Sequence, residues 1–217
     1  MHSITEENYL KAIYTLQGNG DGLVSTSDLA KALGVQPASV TDMVKKIVKK
    51  KLITYLKMKG VRLTEKGKLA AIAIIRKHRL WECFLVNKLG FKWDEVHEVA
   101  EQLEHVQSEQ LIARLDEFLG FPVADPHGDP IPDANGVFSE PPSFPLATLS
   151  AGGKGKFVGV IDHSPAFLTY LDKIGLALGD LIKVKMVEEF DKSLTILLKN
   201  EKSIMVSFKV ANNLLVS

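Results

Sequence analysis

Between Ser25 and Thr64 four local signals follow one another, and that order leaves few folds open. Ser25-Thr26-Ser27-Asp28 offers N-cap side chains for a short helix, Leu29 to Leu33, and Gly34-Val35 makes a turn. Pro37 stands where a helix accepts proline in its first turn. The periodic run from Pro37 to about Lys51 then predicts a buried face of Val40, Met43/Val44, Ile47 and Val48. Its other face carries Ser39, Thr41, Asp42, Lys45, Lys46 and Lys49. Two β-type runs, Leu52–Leu56 and Val61–Thr64, flank a basic tip, Lys57-Met58-Lys59-Gly60. Short helix, glycine turn, longer helix with a polar start and two-stranded wing is the order of a winged helix-turn-helix. An ordinary packed domain of two helices and a hairpin has the same elements, so charge must separate the two readings.

The 217 residues carry a net charge of +1, which hides an uneven distribution. Residues 1–72 hold 12 Lys/Arg against 6 Asp/Glu, residues 73–143 hold 6 against 13, and residues 144–217 hold 9 against 7. A basic segment beside an acidic one predicts a polyanion binder joined to something that attracts cations. Gln36, Pro37, Ala38, Ser39 and Thr41 are short enough to let the start of the second helix sit deep in a DNA major groove, followed by Asp42, Lys45 and Lys46. Lys57, Lys59 and Arg62 of the wing would neutralise phosphates.

Other classes are narrowed by simple features. The longest unbroken apolar run, Leu69 to Ile75, is too short to span a bilayer as a helix. The start, Met1-His2-Ser3-Ile4-Thr5-Glu6-Glu7, has no charged-then-apolar leader, and a single cysteine, Cys83, excludes a disulfide framework. The expectation is a soluble, cytoplasmic protein with no membrane partner. A first helix is predicted from Thr5 through Tyr9, Leu10, Ile13, Tyr14 and Leu16, ending at the loop Gly18-Asn19-Gly20-Asp21-Gly22.

The acidic middle reads as three helices, from Thr64 to about Leu89, from Trp93 to about Val106 and from Ser108 to about Leu119. Their apolar faces are wide for so short a stretch, which predicts burial against a symmetry mate in a two-fold dimer. His78 and Glu82 stand four apart. On one helix His97, Glu101, Glu104 and His105 would cover an arc of roughly 100°. Imidazoles and carboxylates gathered so suit a divalent metal, although such residues on a helix face are often simply solvated. The Pro/Gly-rich stretch that follows would present Asp125 and His127 on a stiff turn.

In order along the chain, Arg76-Lys77-His78-Arg79-Leu80…Glu82, Val96-His97-Glu98…Glu101…Leu103-Glu104-His105 and Asp125-Pro126-His127-Gly128…Pro130-Ile131-Pro132 strongly resemble the diphtheria-toxin-repressor/manganese-transport-regulator family. The resemblance implies a homodimeric repressor that binds palindromic operator DNA when loaded with Fe(II) or Mn(II). It implies one metal site at His78, Glu82 and His97 with the C-terminal domain. The pattern of the longer manganese-responsive members places Glu82, Asp125, His127 and Asp162 around one metal, with Asp125 where they carry cysteine. A second site would use Glu101, Glu104 and His105 with an N-terminal residue, here Asn8. Glu101 stands where iron-responsive members have cysteine, and Lys11 stands where the short manganese regulators have a second N-terminal carboxylate. Hard oxygen donors without thiolate favour Mn(II) or Fe(II) over softer ions, and Mn(II) is the preferred effector of the two.

Residues 134–145 form a proline-rich linker, and beyond it Leu181–Val187 alternates at Ile182, Val184 and Met186. Leu194–Leu198 and Ser203–Phe208 follow, with turns at Asp191-Lys192-Ser193 and Asn200-Glu201-Lys202, which indicates a small barrel. It resembles the SH3-like, FeoA-type domain of the longer family members. Gly152-Gly153-Lys154-Gly155-Lys156 lacks phosphate-loop spacing and reads as a turn before a strand from Phe157 to Ile161. The expected fold is α+β: a winged helix-turn-helix (1–72), a helical metal-binding and dimerisation domain (73–143) and an SH3-like barrel (144–217). No HExxH motif or activated serine is present, so a metal-dependent hydrolase is the weaker reading. A helix-turn-helix regulator that senses an organic ligand is the other alternative.

Overall fold

A computed structural model describes residues 2–18, 22–139, 142–198 and 202–217. Asn19-Gly20-Asp21 of the first loop, Glu140-Pro141 of the linker and Asn200-Glu201 of the last predicted turn lie outside the described residues. The chain is α+β and divides into two compact units. One comprises Met1–His78, Glu101–Ile112 and Pro132–Val137; the other comprises Arg79–Ala100, Ala113–Ile131 and Phe138–Ser217.

In the first unit, α1 (Ile4–Gln17) starts with a capping box. The Ser3 hydroxyl accepts from the Glu6 N–H at 3.3 Å, and the Glu6 carboxylate accepts from the Ser3 N–H at 2.8 Å. Ser25 caps α2 (Thr26–Leu33) through the Asp28 N–H, and Gly34 ends it at φ 63°, where a side chain would be strained. Pro37 opens α3 (Pro37–Lys49). Strands β1 (Ile53–Leu56) and β2 (Gly60–Leu63) pair antiparallel with Ile53 opposite Leu63, forming the wing. Val24 exchanges two backbone hydrogen bonds with Val61, each 2.8 Å. A Cβ on Gly60 would overlap the Val24 carbonyl, so that approach needs glycine.

Leu10, Ile13, Leu29, Val40, Val44, Ile47, Leu52, Val61 and Ile74 close one apolar core among these elements. Val48, expected inside, is exposed, because α3 turns only Val40, Val44 and Ile47 fully inward. The helix also stops at Lys49, two residues earlier than the periodicity predicts, and Lys51 adopts φ 59°.

Helix α4 (Glu65–Leu89) begins at Thr64, whose hydroxyl accepts from the Gly67 N–H at 3.1 Å. Helices α5 (Val96–Leu103) and α6 (Glu109–Phe118) follow. The end of α5 corrects the sequence reading: Glu104 and His105 lie in a turn closed by the Val106 N–H on the Leu103 carbonyl at 3.1 Å. The expected single stripe of His97, Glu101, Glu104 and His105 is therefore broken.

The second unit holds a six-stranded antiparallel sheet in the order β3-β8-β4-β5-β6-β7. Its strands are β3 (Phe144–Pro145), β4 (Lys154–Val160), β5 (Leu181–Val187), β6 (Leu194–Leu197), β7 (Ser203–Val206) and β8 (Leu214–Val216). Helices α7 (Pro165–Ile174) and α8 (Phe208–Asn212) complete it. Phe157, Leu168, Leu171, Ile182, Val184, Ile196, Leu214 and Val216 fill its core. Ile182 and Val184 point inward as their alternation predicts, but an irregularity between Val184 and Met186 turns Met186 outward, 46% exposed.

The cap of α1 also carries a charge. Burial opposes the Glu6 carboxylate, yet Lys50, at 2.7 Å, and the Ser3 N–H outweigh it and hold Glu6 below the ordinary carboxylate range. A group so lowered contributes fully above its unfolded value, and the contribution disappears as pH falls through the folded one. Glu6→Ala should therefore cost about 1 kcal/mol in urea unfolding near pH 7. The deficit should narrow near pH 3, and an equal deficit at both would contradict this role.

Candidate metal centre

In the second unit the buried residues Glu82 on α4, Asp125 and His127 each offer a ligand atom, and the three atoms lie within 4.8 Å of one another. The 124–130 turn that carries two of them is held by its own backbone. The Asp125 Oδ1 atom accepts from the N–H groups of His127 (2.8 Å) and Asp129 (3.0 Å). Gly128, at φ 92°, packs so closely on the Val158 backbone that a Cβ would overlap it, and the Val160 N–H donates to the His127 carbonyl at 3.0 Å. The turn is thus fixed against β4.

His127 decides what this cluster can do. Its Nε2 lies 2.7 Å from the Trp93 carbonyl, which can only accept, so Nε2 carries a hydrogen. Nδ1 faces Glu82 at 3.7 Å and Asp125 at 3.9 Å. A neutral imidazole would point a lone pair at two carboxylates, an arrangement that calls for a cation or a proton between them. The titration directions agree. Burial, Asp129 and Glu82 raise Asp125, although His127 and Arg79 oppose them. Burial works against a charged His127, but Glu82 and Asp125 outweigh it and raise its pKa.

Around this centre, Trp93 stacks on His127 with centroids 6.2 Å apart, and the His163 ring meets it edge-on at 5.3 Å. Arg79 reaches Asp129 at 3.3 Å and Asp125 at 3.7 Å. His97, 62% exposed at its side chain, lies 3.5 Å from Glu82. The Cys83 thiol faces the Ala124 carbonyl at 3.5 Å, and burial together with Asp125 and Glu82 pushes its pKa up to about 12. Asp162 is not within the three-residue group; its Oδ1 accepts from the Ser164 N–H at 2.9 Å ahead of α7.

The first unit gathers a second set. Glu104, 1% exposed, meets His78 Nδ1 at 2.6 Å and Lys11 Nζ at 2.8 Å, and Lys11 also lies 3.4 Å from Glu101. His105 Nδ1 is 2.6 Å from Glu7, which also accepts from Gln107 at 2.8 Å. The N-terminal side chain at His105 is thus Glu7, one residue before the nominated Asn8. Burial opposes charge on Glu104, but the His78 hydrogen bond and Lys11 outweigh it and lower its pKa.

The nominated DNA-facing residues are all exposed: Gln36, Pro37, Ala38, Ser39, Thr41, Asp42, Lys45 and Lys46 at and along α3, and Lys57 and Lys59 on the wing tip. Lys45 and Asp42 pair at 3.2 Å, a surface contact of small energetic weight. Sequence reasoning missed Glu7, Trp93, Arg79, Asp129 and His163. The signal for Glu7 was available in the acidic first turn of α1, whereas nothing local couples Trp93 to residue 127.

Three family descriptions match the chain in order. Residues 1–61 match "Iron dependent repressor, N-terminal DNA binding domain", residues 64–133 match "Iron dependent repressor, metal binding and dimerisation domain", and residues 144–217 match "FeoA domain". The iron-dependent repressor IdeR of Mycobacterium tuberculosis is 38% identical over 128 residues, 59% of this chain and 55% of that protein. The chain thus aligns with about half the length of its mycobacterial relatives. The HTH-type transcriptional regulator MntR of Bacillus pumilus is 36% identical over 115 residues, 53% of this chain and 78% of that one. A solved manganese-dependent transcriptional repressor, in complex with manganese, superposes with a TM-score of 0.83 at 37% identity, covering 97% of this chain and 98% of that one. These likenesses run through the helix-turn-helix, the helical middle and the sheet, and the chain belongs to the iron-dependent repressor family, the diphtheria-toxin-repressor/manganese-transport-regulator type.

Proposed function

We propose that this chain is a divalent-metal-dependent transcriptional repressor that controls metal-ion homeostasis genes, with Mn(II) ahead of Fe(II) as effector. The relatives and the solved structure named above are described as repressors or transcriptional regulators. The observation that carries the reading is the Glu82–Asp125–His127 group, in which an imidazole held at Nε2 turns its Nδ1 to two buried carboxylates. The donor set fits a hard divalent ion, since its donors are oxygen and imidazole nitrogen. When bound, the ion would add positive charge between the two carboxylates.

The chain's own residues do the rest. Asp125 and His127 are preset by their turn, and Trp93 fixes the tautomer of His127. Helix α4 carries Glu82 and also supplies Ala71 and Ile74 to the core that seats α3. Bringing Glu82 and the 125–127 turn onto one ion selects one arrangement of the elements that hold them, and only differential binding can shift such an equilibrium. His97 and Asp162 stand as further donors to the same centre. The domain limits proposed are 1–72, 73–143 and 144–217, in a cytoplasmic homodimer on a palindromic operator. Support for the dimer comes from Leu89, Phe118, Phe121 and Val123, each more than half exposed on the second unit. In each protomer α3 would enter the major groove and the wing would follow the backbone.

Fluorescence anisotropy on the protein's own promoter region tests the switch. Wild-type protein should bind with Mn(II) and release on adding EDTA, and Asp125→Asn should weaken Mn(II)-dependent binding at least about tenfold. Binding that ignores the chelator would defeat the reading. Lys57→Ala and Lys59→Ala should each lower the slope of log affinity against log salt by about one, without changing sequence preference. An unchanged slope would remove the wing from the interface.

A further inference from the structure

We propose that Lys11 is the resident cation of the Glu101–Glu104 group, a tethered ammonium standing where a second divalent ion would otherwise bind. The inference builds on reading Glu82, Asp125 and His127 as the metal centre, and it leaves each protomer with one metal-responsive site.

The Lys11 ammonium already lies against both carboxylates. Lys11 Nζ contacts Glu104 at 2.8 Å and Glu101 at 3.4 Å, and its side chain is only 20% exposed. Glu104, almost fully buried, also takes His78 Nδ1 at 2.6 Å. Glu7 is engaged by Gln107 at 2.8 Å and by His105 at 2.6 Å. Burial lowers the pKa of Lys77, and Glu7 and Glu104 oppose that shift only in part. Each of the three carboxylates already has a cationic or hydrogen-bonding partner from the protein itself. A divalent ion at Glu104 would have to expel the Lys11 ammonium, and a buried charge stripped of its partner is strongly destabilising.

The local sequence explains the substitution. Glu7 and Lys11 are one helical turn apart on α1, so both side chains leave the helix on the same side. Glu7 reaches His105 while Lys11 reaches Glu101 and Glu104. The α1 helix is thereby tied to the α5 end and the turn beyond it by covalently supplied charge. That tie is made by the chain's own side chains, so in this proposal metal responsiveness belongs to Glu82, Asp125 and His127.

Counting Mn(II) bound per full-length chain, by the loss of the free-ion EPR signal, tests this. The expected count is one for wild type, one for Glu101→Gln, none for Asp125→Asn and two for Lys11→Ala. Two ions on wild type with one lost in Glu101→Gln would overturn the proposal. So would a folded Lys11→Ala protein that gains none. If wild type binds none and Lys11→Ala binds one, the reading of Glu82, Asp125 and His127 fails while the role of Lys11 stands. Should Lys11→Ala not fold, the Glu101→Gln count decides alone, because Glu101 is half exposed at its side chain and tolerates the change.

Discussion

Glu82 and Asp125 lie at 2% and 5% exposure beside His127, which offers them its Nδ1 while Nε2 is committed to a carbonyl. Carboxylates taken out of water repel each other and demand positive charge, and a proton or a divalent ion can meet that demand. The fixed 125–128 turn, the close Gly128–Val158 packing and the stacked Trp93 all hold this charge deficit in shape. A binding site results because the protein leaves part of the deficit for something else to fill.

The Glu7–Glu101–Glu104 set in the first unit meets the same demand differently. There the partners are Lys11, His78, His105 and Gln107, all from the chain. Two acidic clusters that look alike in sequence therefore differ in electrostatic standing: in one, two buried carboxylates meet an imidazole with Arg79 at 3.7 Å from Asp125, and in the other the Lys11 ammonium contacts both acids directly. The near-neutral net charge follows the same logic at larger scale, with a basic DNA-facing segment set against an acidic middle.

Much of this was legible in the sequence because it rests on local signals. Ser25, Gly34 and Pro37 mark the helix-turn-helix by capping and backbone restriction, and the alternation at Ile182 and Val184 marks β5. Glu82, Asp125 and His127 could be nominated, since carboxylates and imidazole on a Pro/Gly turn and a helix are recognisable ligand types. What failed depended on breaks in regularity. Helix α5 ends at Leu103, so the stripe through His105 does not exist as one face, and an irregularity within β5 turns Met186 outward. Glu7 rather than Asn8 meets His105, a choice set by how α1 presents adjacent residues. Helix α7, whose Leu168 and Leu171 enter the core, was not among the elements read from the sequence. Lys11 was visible as a missing carboxylate, but only the fold brings its ammonium to two acids some 90 residues away.

Anomalous diffraction at the manganese edge, on crystals of the full chain grown with Mn(II), would test the central claim most directly. The account predicts one strong peak per protomer, bounded by Glu82, Asp125 and His127, and unbroken Lys11 contacts to Glu101 and Glu104. A peak between Glu101 and Glu104, or none beside Asp125, would contradict it.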